Sequence, residues 1–364
     1  MAVSKITVDE LALLSKESPV FDVRSPAEYA HAHYPNAISL PLFSNEERAI
    51  VGTAYKQQSR EIAMKLGMDF FGLKMRKMVE EAESIIPQRS MDHKNVIVQC
   101  WRGGMRSAAV AWLLDLYGYK VHTLAGGYKS YRNWVLKQFE LSYQFVVLGG
   151  YTGSGKTVVL KDLKALGHIV IDLEGLANHK GSAFGGIDLG TQPSQEMFEN
   201  LLANELFNTS SLPGYPQQKI WLEDESQRIG SVMIPNTIWN NMRDVDVFFL
   251  DISFEERLEY LVKTYGALPK DQLVTSVMRI QKRLGGLETK NTINFLVEDN
   301  FTESFRILLQ YYDKLYGKGL QNRKNLEQLL HKIACKCVDS KMNSKIIHSI
   351  TTNAPSLKAK VSDT

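Results

Sequence analysis

The chain has 364 residues, which is enough for two ordinary domains. Hydrophobic residues make up 44% and charged residues 23%, so the chain can bury cores and does not have the composition of a disordered protein. A net charge of +3 argues against a protein that is held to nucleic acid mainly by bulk charge.

The cysteines and the apolar runs indicate where the protein works. Cys100, Cys335 and Cys337 are too few for a disulfide framework, and the close pair Cys335 and Cys337 has no second pair to complete a zinc site. The N-terminal residues lack the apolar core of a signal peptide, and no run approaches the roughly 18–20 apolar residues of a membrane span. The sequence therefore predicts a soluble protein of a reducing cytoplasm, with no membrane partner.

Short β-rich runs alternate with helical patterns along most of the chain, which is typical of α/β folds with mainly parallel sheets. In a first series, strands are predicted at PVFDVR, NVIVQC and KVHTL, with a long helical stretch at residues 44–86 between the first two. A second series has strands at QFVVLGG, HIVIDL, KIWLEDE and VDVFFLDI. The stretch YKSYRNWVLKQFELS is predicted to be a helix and connector, which places the domain boundary near residue 140.

The C-terminal part differs in composition. Between Tyr311 and Ile346, three acidic residues stand against eight basic ones, which are Lys314, Lys318, Arg323, Lys324, Lys332, Lys336, Lys341 and Lys345. A solvated helical face and an RNA-contacting surface both fit this imbalance, and a solvated face is the more common outcome. The predicted organisation is residues 1–140, residues 141–345 with a basic helical end, and a disordered tail at 346–364, where large apolar side chains become rare.

The stretch VQCWRGGMRS places Cys100 at the end of an apolar run and before a helical pattern. A loop in this position directs backbone N–H groups and a helix N-terminus towards one point, where they bind anions and lower the pKa of a thiol. Gly103 and Gly104 permit the positive φ angles of such a loop, and Arg106 can grip two oxygens of a tetrahedral anion. A buried structural cysteine is the alternative, but these residues together with Arg102 favour a reactive thiolate.

The sequences around this loop resemble the rhodanese family. FDVRSPAEYAHAHYPNAISLPLF is similar to its N-terminal signature and LAGGYKSYRNW to its C-terminal one, so the likeness covers roughly residues 5–135. The resemblance implies a rhodanese-like domain whose cysteine carries sulfur or selenium. Five residues separate Cys100 from Arg106, one more than in simple sulfurtransferases. The wider loop is similar to that of related phosphatases and implies that a phosphate-sized group enters.

A second anion site is predicted where FVVLGGYTGSGKTVVLKDLKALG joins a strand to a helix. Residues 150–157 match the pattern G-x4-G-K-T in full. In this context backbone N–H groups cradle phosphates, Lys156 neutralises their charge and Thr157 can hold Mg²⁺. The pattern predicts a P-loop NTPase-like domain, without implying ATP hydrolysis, and its phosphate-binding residues would be Gly150, Gly153, Ser154, Gly155, Lys156 and Thr157.

An acidic cluster follows the next strand of this domain. KIWLEDES ends an apolar run on Glu223, Asp224 and Glu225. A strand that holds a metal and an acidic strand end that meets basic neighbours explain the cluster equally well. Further on, VFFLDISFEERLEYLV is similar to a strand and helix of small-molecule kinases, with Arg257 near the start of the helix.

Up to about residue 330 the chain resembles the tRNA 2-selenouridine synthase family, in which a rhodanese domain is joined to a P-loop domain. The stretches NEERAIVGTAYKQQSREIAMKLG, IDLEGLANHKGSAFG and WLEDESQRIG carry the likeness beyond the two modules. The resemblance implies a transferase that replaces sulfur by selenium in wobble-position 2-thiouridine of tRNA, with selenophosphate as donor. It also implies transfer of a geranyl group from geranyl diphosphate to that sulfur. Beyond these substrates, Mg²⁺ at the phosphate loop is the one cofactor that the sequence leaves open.

The resemblance assigns roles by position. Cys100 matches the family's essential cysteine, as nucleophile or selenium carrier. The selenophosphate site would comprise Arg102, Gly103, Gly104, Arg106 and Ser107, and the P-loop would hold the diphosphate of the geranyl donor. Gly67 falls within a family-like stretch without an assigned role.

Three other functions are compatible with parts of the sequence. A persulfide sulfurtransferase with a regulatory P-loop nucleotide-binding domain would not need the long helical insertion at residues 44–86. A P-loop kinase with an inert rhodanese-like domain for partner binding would not need the intact Cys100 loop. A cysteine phosphatase is suggested by the loop width alone, and the sequence offers no recognisable acid for it.

Overall fold

The computed structural model describes residues 3–86, 95–187 and 189–353. The chain divides into two compact units, one made of Met1–Glu140 with Glu196–Asn204 and the other of Leu141–Gln195 with Glu205–Thr364. The sequence analysis placed residues 196–204 in the second domain, but they belong to the first unit. They are held there by Arg132 of that unit, whose guanidinium donates hydrogen bonds to Glu199 and to Asn200, both at 2.5 Å.

The first unit is a parallel α/β sheet. Its elements are β1 Ser4–Ile6, α1 Val8–Leu14, β2 Val20–Asp22, α2 Pro26–His31, β3 Ile38–Ser39, α3 Asn45–Gln57, α4 Arg60–Ile85, β4 Asn95–Gln99, α5 Met105–Leu116, β5 Lys120–Leu124 and α6 Gly127–Gln138. The five strands are all parallel, in the order β1-β5-β4-β2-β3, so β4 is central. The three predicted strands are β2, β4 and β5. The edge strands β1 and β3 were not predicted, since two or three residues give no readable alternation.

The long helical stretch of this unit is two helices rather than one. The break lies at Gln58 and Ser59, where the Ser59 hydroxyl accepts from the backbone N–H of Ile62 at 3.2 Å and so caps α4. An ion pair between Lys74 and Glu47 ties α4 back to α3. The two helices therefore form a hairpin beside the sheet rather than one long rod.

The second unit also has a parallel sheet. Its elements are β6 Phe145–Gly150, α7 Lys156–Ala165, α8 Leu173–Ala177, β7 Ile220–Glu223, β8 Arg228–Ile229, β9 Val232–Met233, α10 Asn236–Arg243, β10 Val247–Asp251, α11 Phe254–Tyr265, α12 Lys270–Leu284, α13 Gly286–Val297, α14 Phe301–Gln321, α15 Leu326–Leu329, β11 Leu330–Ala334 and α16 Ser340–Asn353. Helix α9 Gln195–Ser210 precedes β7 in the chain, and its residues 196–204 group with the first unit. The main sheet has the order β11-β10-β6-β7, and β8 pairs with β9 in a small antiparallel ribbon. The α/β class with two mainly parallel sheets is confirmed.

Two predictions of secondary structure in this unit are wrong. HIVIDL forms only an isolated bridge between Val170 and Trp221, because Asp172 then caps α8 by accepting from the N–H of Gly175 at 2.7 Å. Within the predicted helical end, residues 330–334 form β11, which pairs with β10. The buried Ile333 of β11 packs into the core of the unit, and this contact outweighs the local helical pattern.

The predicted boundary of the disordered tail, residue 346, is also wrong. Helix α16 extends to Asn353, and Ile347 has no exposed surface because it packs into the same core as Ile333. Residues 346–353 are therefore helical, and the rest of the predicted tail lies outside the described residues. None of the helices in the described ranges has the length and apolar content needed to cross a membrane.

One member of the predicted basic face is buried. Arg323 pairs with the carboxylate of Asp224 and donates to the carbonyl oxygen of Met242 at 2.6 Å. Tyr316 donates to the other oxygen of Asp224 at 2.6 Å. Arg323 thus belongs to an internal network and is unavailable to RNA, whereas its neighbour Lys324 is exposed.

We predict that Arg323→Ala destabilises the protein by about 3–5 kcal/mol, because it leaves the carboxylate of Asp224 buried without its cation. Chemical denaturation followed by circular dichroism measures the change. Lys324→Ala is the matched control and should shift the free energy of unfolding by no more than about 0.5 kcal/mol. Equal small shifts in both variants would contradict the structural role of Arg323.

Candidate functional site

Cys100 follows β4 directly and lies at the carboxyl end of the central strand, where open α/β sheets bind their ligands. The residue is only 3% exposed. The N–H of Gly104 donates to the sulfur at 3.4 Å, and the hydroxyl oxygen of Ser107 lies 3.2 Å from it. Because α5 begins at Met105, the positive end of a helix lies beside the same loop, which favours the binding of an anion there.

The curvature of the Cys100 loop is fixed by the start of α6. The N–H of Tyr128 donates to the carbonyl oxygen of Cys100 at 2.9 Å. Gly127 has a φ of +61°, and a Cβ atom there would lie 2.2 Å from the same carbonyl oxygen and 2.4 Å from the nitrogen of Gly103. Only glycine fits this approach. The LAGGY stretch is therefore the second wall of the loop, a role that its sequence alone does not show.

Arg106 is held by a carboxylate that the sequence analysis did not select. Its guanidinium donates to Glu28 at 2.8 Å, and Arg48 lies 3.8 Å from the same oxygen. Burial alone would raise the pKa of Glu28, but the hydrogen bond and charge of Arg106 bring it below its usual value. Glu28 therefore stays ionised, and an incoming oxyanion has to share Arg106 with it. The capping pattern SPAE places Glu28 on α2 but gives no sign of this second partner.

The structure brings most of the predicted anion-binding residues to one place. Arg102, Gly104 and Arg106 line a cavity of about 790 Å³ together with Cys100, and Ser107 lies against the sulfur. Gly103 has a different task. Its φ is +63°, and a Cβ atom there would lie 2.6 Å from the carbonyl oxygen of Leu124, so it lets the loop pass close to the end of β5.

The phosphate loop joins β6 to α7 in the second unit. Gly150, Gly153 and Gly155 have φ angles of +150°, +81° and +74°, which other residues rarely adopt. Lys156 donates to the carbonyl oxygen of Gly150 at 2.9 Å and so lies back across the loop. The buried hydroxyl of Ser154 has no partner among the described residues. The loop thus has the shape of an anion cradle with a spare donor inside it.

Carboxylates lie behind the phosphate loop. Thr157 donates to Glu174 at 2.7 Å, and the backbone N–H of Glu174 donates to Glu223 at 2.7 Å. Burial, together with the charge of Glu174, raises the pKa of Glu223 well above its usual value, and the same causes raise that of Glu225 to about 8. The second oxygen of Glu223 has no partner in the described part of the chain. The acidic cluster is therefore linked to the loop through Glu174, which bonds both to Glu223 and to Thr157, and the charge of Lys156 also acts on Glu225.

The described residues contain no group of three or more His, Cys, Asp or Glu side chains that could hold a metal ion. Magnesium at phosphate loops is usually held by one or two protein ligands and the substrate phosphates rather than by an all-protein cage. The hydroxyl of Thr157 and the carboxylate of Glu174 are oxygen donors of that kind. Asp224 takes no part, because it meets Arg323 and Tyr316 instead.

Helices α11 and α14 brace the phosphate loop. Arg257 donates to the carbonyl oxygen of Thr152 at 3.0 Å and forms two bonds to Asp313, at 2.9 and 2.7 Å. The hydroxyl of Tyr316 accepts from the N–H of Gly150 at 3.2 Å. Arg257 therefore works as a support of the loop, and Asp313 and Tyr316 are supporting residues that only the folded chain identifies.

Family models match both units. A model described as the tRNA 2-selenouridine synthase AAA domain covers residues 143–344, and one described as a rhodanese-like domain covers residues 7–133. The chain belongs to the tRNA 2-selenouridine synthase family. Together the two models cover both the Cys100 loop and the phosphate loop.

Relatives named tRNA 2-selenouridine synthase match nearly the whole chain. The relative from Sulfurovum sp. is 31% identical over 88% of this chain and 93% of its own length. That from Bdellovibrio bacteriovorus is 33% identical over 89% and 94%, and that from Hydrogenovibrio crunogenus is 34% identical over 86% and 92%. The likeness to the family therefore extends over most of the chain.

We predict that Gly127→Ala disrupts the Cys100 loop, since the new methyl group would overlap two backbone atoms that cannot move independently. The expected loss of stability is about 2–4 kcal/mol, from overpacking added to the strain of a positive φ angle. Thermal and chemical denaturation measure it.

Gly118→Ala is the matched control for this prediction. Gly118 also has a positive φ, +104°, but a Cβ atom there meets nothing within 4 Å. This variant should lose only the free energy of the backbone strain, about 1–2 kcal/mol of stability. Equal losses in the two variants would mean that the approach of α6 to the loop does not constrain it.

Proposed function

We propose that the protein replaces the sulfur of wobble-position 2-thiouridine in tRNA by selenium, in two steps that use geranyl diphosphate and then selenophosphate. The supporting observation is that one chain of this family carries both a Cys100 anion loop at the end of a central strand and a complete phosphate loop. The sequence likeness to relatives named for 2-selenouridine synthesis covers 88% and 89% of this chain, and the two family models span residues 7–133 and 143–344. We infer that the reaction takes place in the cytoplasm.

The first step is alkylation of the thiocarbonyl sulfur. The sulfur attacks the first carbon of the geranyl group, the carbon–oxygen bond to diphosphate breaks, and the base loses its N3 proton. The products are S-geranyl-2-thiouridine, diphosphate and a proton. The phosphate loop suits this step because its backbone N–H groups and Lys156 stabilise the negative charge that develops on the leaving diphosphate.

The second step exchanges the chalcogen. Alkylation turns the sulfur into a better leaving group, so the selenium of selenophosphate can add to C2 and expel geranyl thiolate, which takes up a proton. Water then cleaves the selenium–phosphorus bond and releases phosphate, leaving 2-selenouridine. Selenium stays at the oxidation level of selenide throughout, so no oxidant is needed.

The Cys100 loop suits the second step. Arg102, Arg106 and the loop N–H groups are donors for the oxygens of selenophosphate, and a tetrahedral anion needs the wide turn between Cys100 and Arg106. In a variant of this step, the Cys100 thiolate attacks the phosphorus of the donor and sets free hydroselenide for the attack on C2. This attack leaves phosphate bonded to the Cys100 sulfur, and water later hydrolyses that bond and releases phosphate.

We expect Cys100→Ser to abolish selenium incorporation while geranylation of 2-thiouridine continues, since an alcohol at this position is not ionised near pH 7. The assay is mass spectrometry of wobble nucleosides from cells that lack the protein and carry the variant. Cys337→Ser, which alters a half-buried cysteine of the other unit, is the control and should restore 2-selenouridine. Normal selenation by Cys100→Ser would refute the role of Cys100.

For the phosphate loop, Lys156→Ala should slow geranylation by about tenfold or more, because a hydrogen bond from a charged donor is worth roughly 1.5–3 kcal/mol. Purified variant should still selenate tRNA that is supplied already S-geranylated. Lys161→Ala changes an exposed lysine of the same helix and should leave both rates unaltered. If Lys156→Ala slows both steps equally at an unchanged melting temperature, the two steps share one phosphate site.

A further inference from the structure

The cavity beside Cys100 is larger and more apolar than selenophosphate requires. It has a volume of about 790 Å³, within the range of roughly 300–1,000 Å³ found for small-molecule sites. One wall is the Cys100 loop with the start of α5, and the other is the hairpin of α3 and α4. Apolar side chains dominate the lining, among them Phe43, Val51, Met64, Met68, Phe71 and Met105.

Small residues on the hairpin keep this space open. Gly52 of α3 and Gly67 of α4 both line the cavity, although glycine weakens a helix interior. At Gly67 a Cβ atom would lie 3.3 Å from the ring of Phe43, so a side chain there would press on the apolar wall. Gly52 instead faces open space, its closest neighbour being the guanidinium of Arg48 at 3.9 Å. Gly67, to which the sequence analysis assigned no role, thus lies in the wall of the cavity against Phe43.

Charge at the rim separates two regions of the cavity. Arg48, Arg102 and Arg106 are among the lining residues, and the carboxylate of Glu28 bonds to Arg106 and lies 3.8 Å from Arg48. The cationic rim complements phosphate oxygens of the selenium donor or of tRNA. The apolar wall does not favour binding of a small polar anion, because the anion would lose its hydration there without gaining hydrogen bonds.

We propose that the apolar wall binds a prenyl chain of about ten carbons, carried on the sulfur of the alkylated base. This inference rests on the proposed function, since it requires an S-alkylated 2-thiouridine as the substrate of the second step. Chain burial is favourable in proportion to the apolar area removed from water. Methionines such as Met64, Met68 and Met105 adapt to a flexible ligand better than branched side chains do.

Such a chain would position the reacting atoms. Once it lies along the hairpin, the carbon–sulfur bond of the base is held at the mouth of the Cys100 loop, next to the rim that binds the selenium donor. Holding two reactants in the geometry of the reaction lowers the activation free energy by far more than either binding contact does alone. The departing prenyl thiol would also stay bound on the apolar wall, away from the polar rim.

The test compares two leucine variants of the hairpin. Gly52→Leu places an isobutyl group inside the cavity, whereas Gly72→Leu places the same group on α4 where nothing lies within 4 Å. Both changes favour helix, so neither is expected to weaken folding, and melting temperatures check this. The substrates are anticodon stem-loops that carry S-geranyl- or S-methyl-2-thiouridine, with selenophosphate as donor. Because the two leaving thiols have similar reactivity, the ratio of their kcat/KM values reports binding of the chain.

Wild-type enzyme should prefer the geranyl substrate, and Gly52→Leu should lower the ratio by about tenfold or more, the effect of displacing two or three methylene groups. Gly72→Leu should keep the wild-type ratio. Isothermal titration calorimetry with geraniol should show saturable binding to wild type and Gly72→Leu but not to Gly52→Leu.

Equal rates for the two substrates in the wild-type enzyme would overturn this inference and leave the proposed function intact, since the cavity would then hold the base rather than a chain. An unchanged ratio in Gly52→Leu would overturn it as well. Failure of the wild-type enzyme to selenate either substrate would instead overturn the proposed function.

Discussion

Hydrogen bonding between the Cys100 loop and the start of α6 is the constraint on which the first site depends. Tyr128 holds the carbonyl oxygen of Cys100, and Gly127 passes so close to it that no side chain fits. The loop is left with a single curvature, which brings the N–H of Gly104 and the hydroxyl of Ser107 to the sulfur. Because main-chain atoms set this curvature, the Cys100 side chain is positioned with little conformational freedom to lose.

The second site relies on buried charges rather than on main-chain contacts. Arg257 joins the phosphate loop to Asp313 of α14, and Tyr316 of the same helix reaches Gly150 and Asp224. Removing one member of such a network leaves its charged partner buried without a counter-charge, and the protein is destabilised as a result. The basic C-terminal part that sequence composition singled out is thus partly an internal support of the loop.

The hairpin of α3 and α4 forms one wall of the cavity beside Cys100. A cysteine loop by itself offers donors for an oxyanion, but the hairpin adds an apolar wall next to the same sulfur. In the function that we propose, a polar selenium donor and an apolar substituent on the base meet at this point.

The sequence alone determined the parallel sheets, both anion loops and the family, because these depend on contiguous residues with fixed spacing and on alternating apolar runs. The tertiary structure decided what depends on partners far apart in the chain. Glu28 lies 78 residues from Arg106, and Asp224 lies 99 residues from Arg323. The strand β11 and the cavity behind Gly67 likewise arise only when distant elements pack together. Local patterns carry no record of such contacts, since burial and desolvation are set by whatever the folded chain brings alongside.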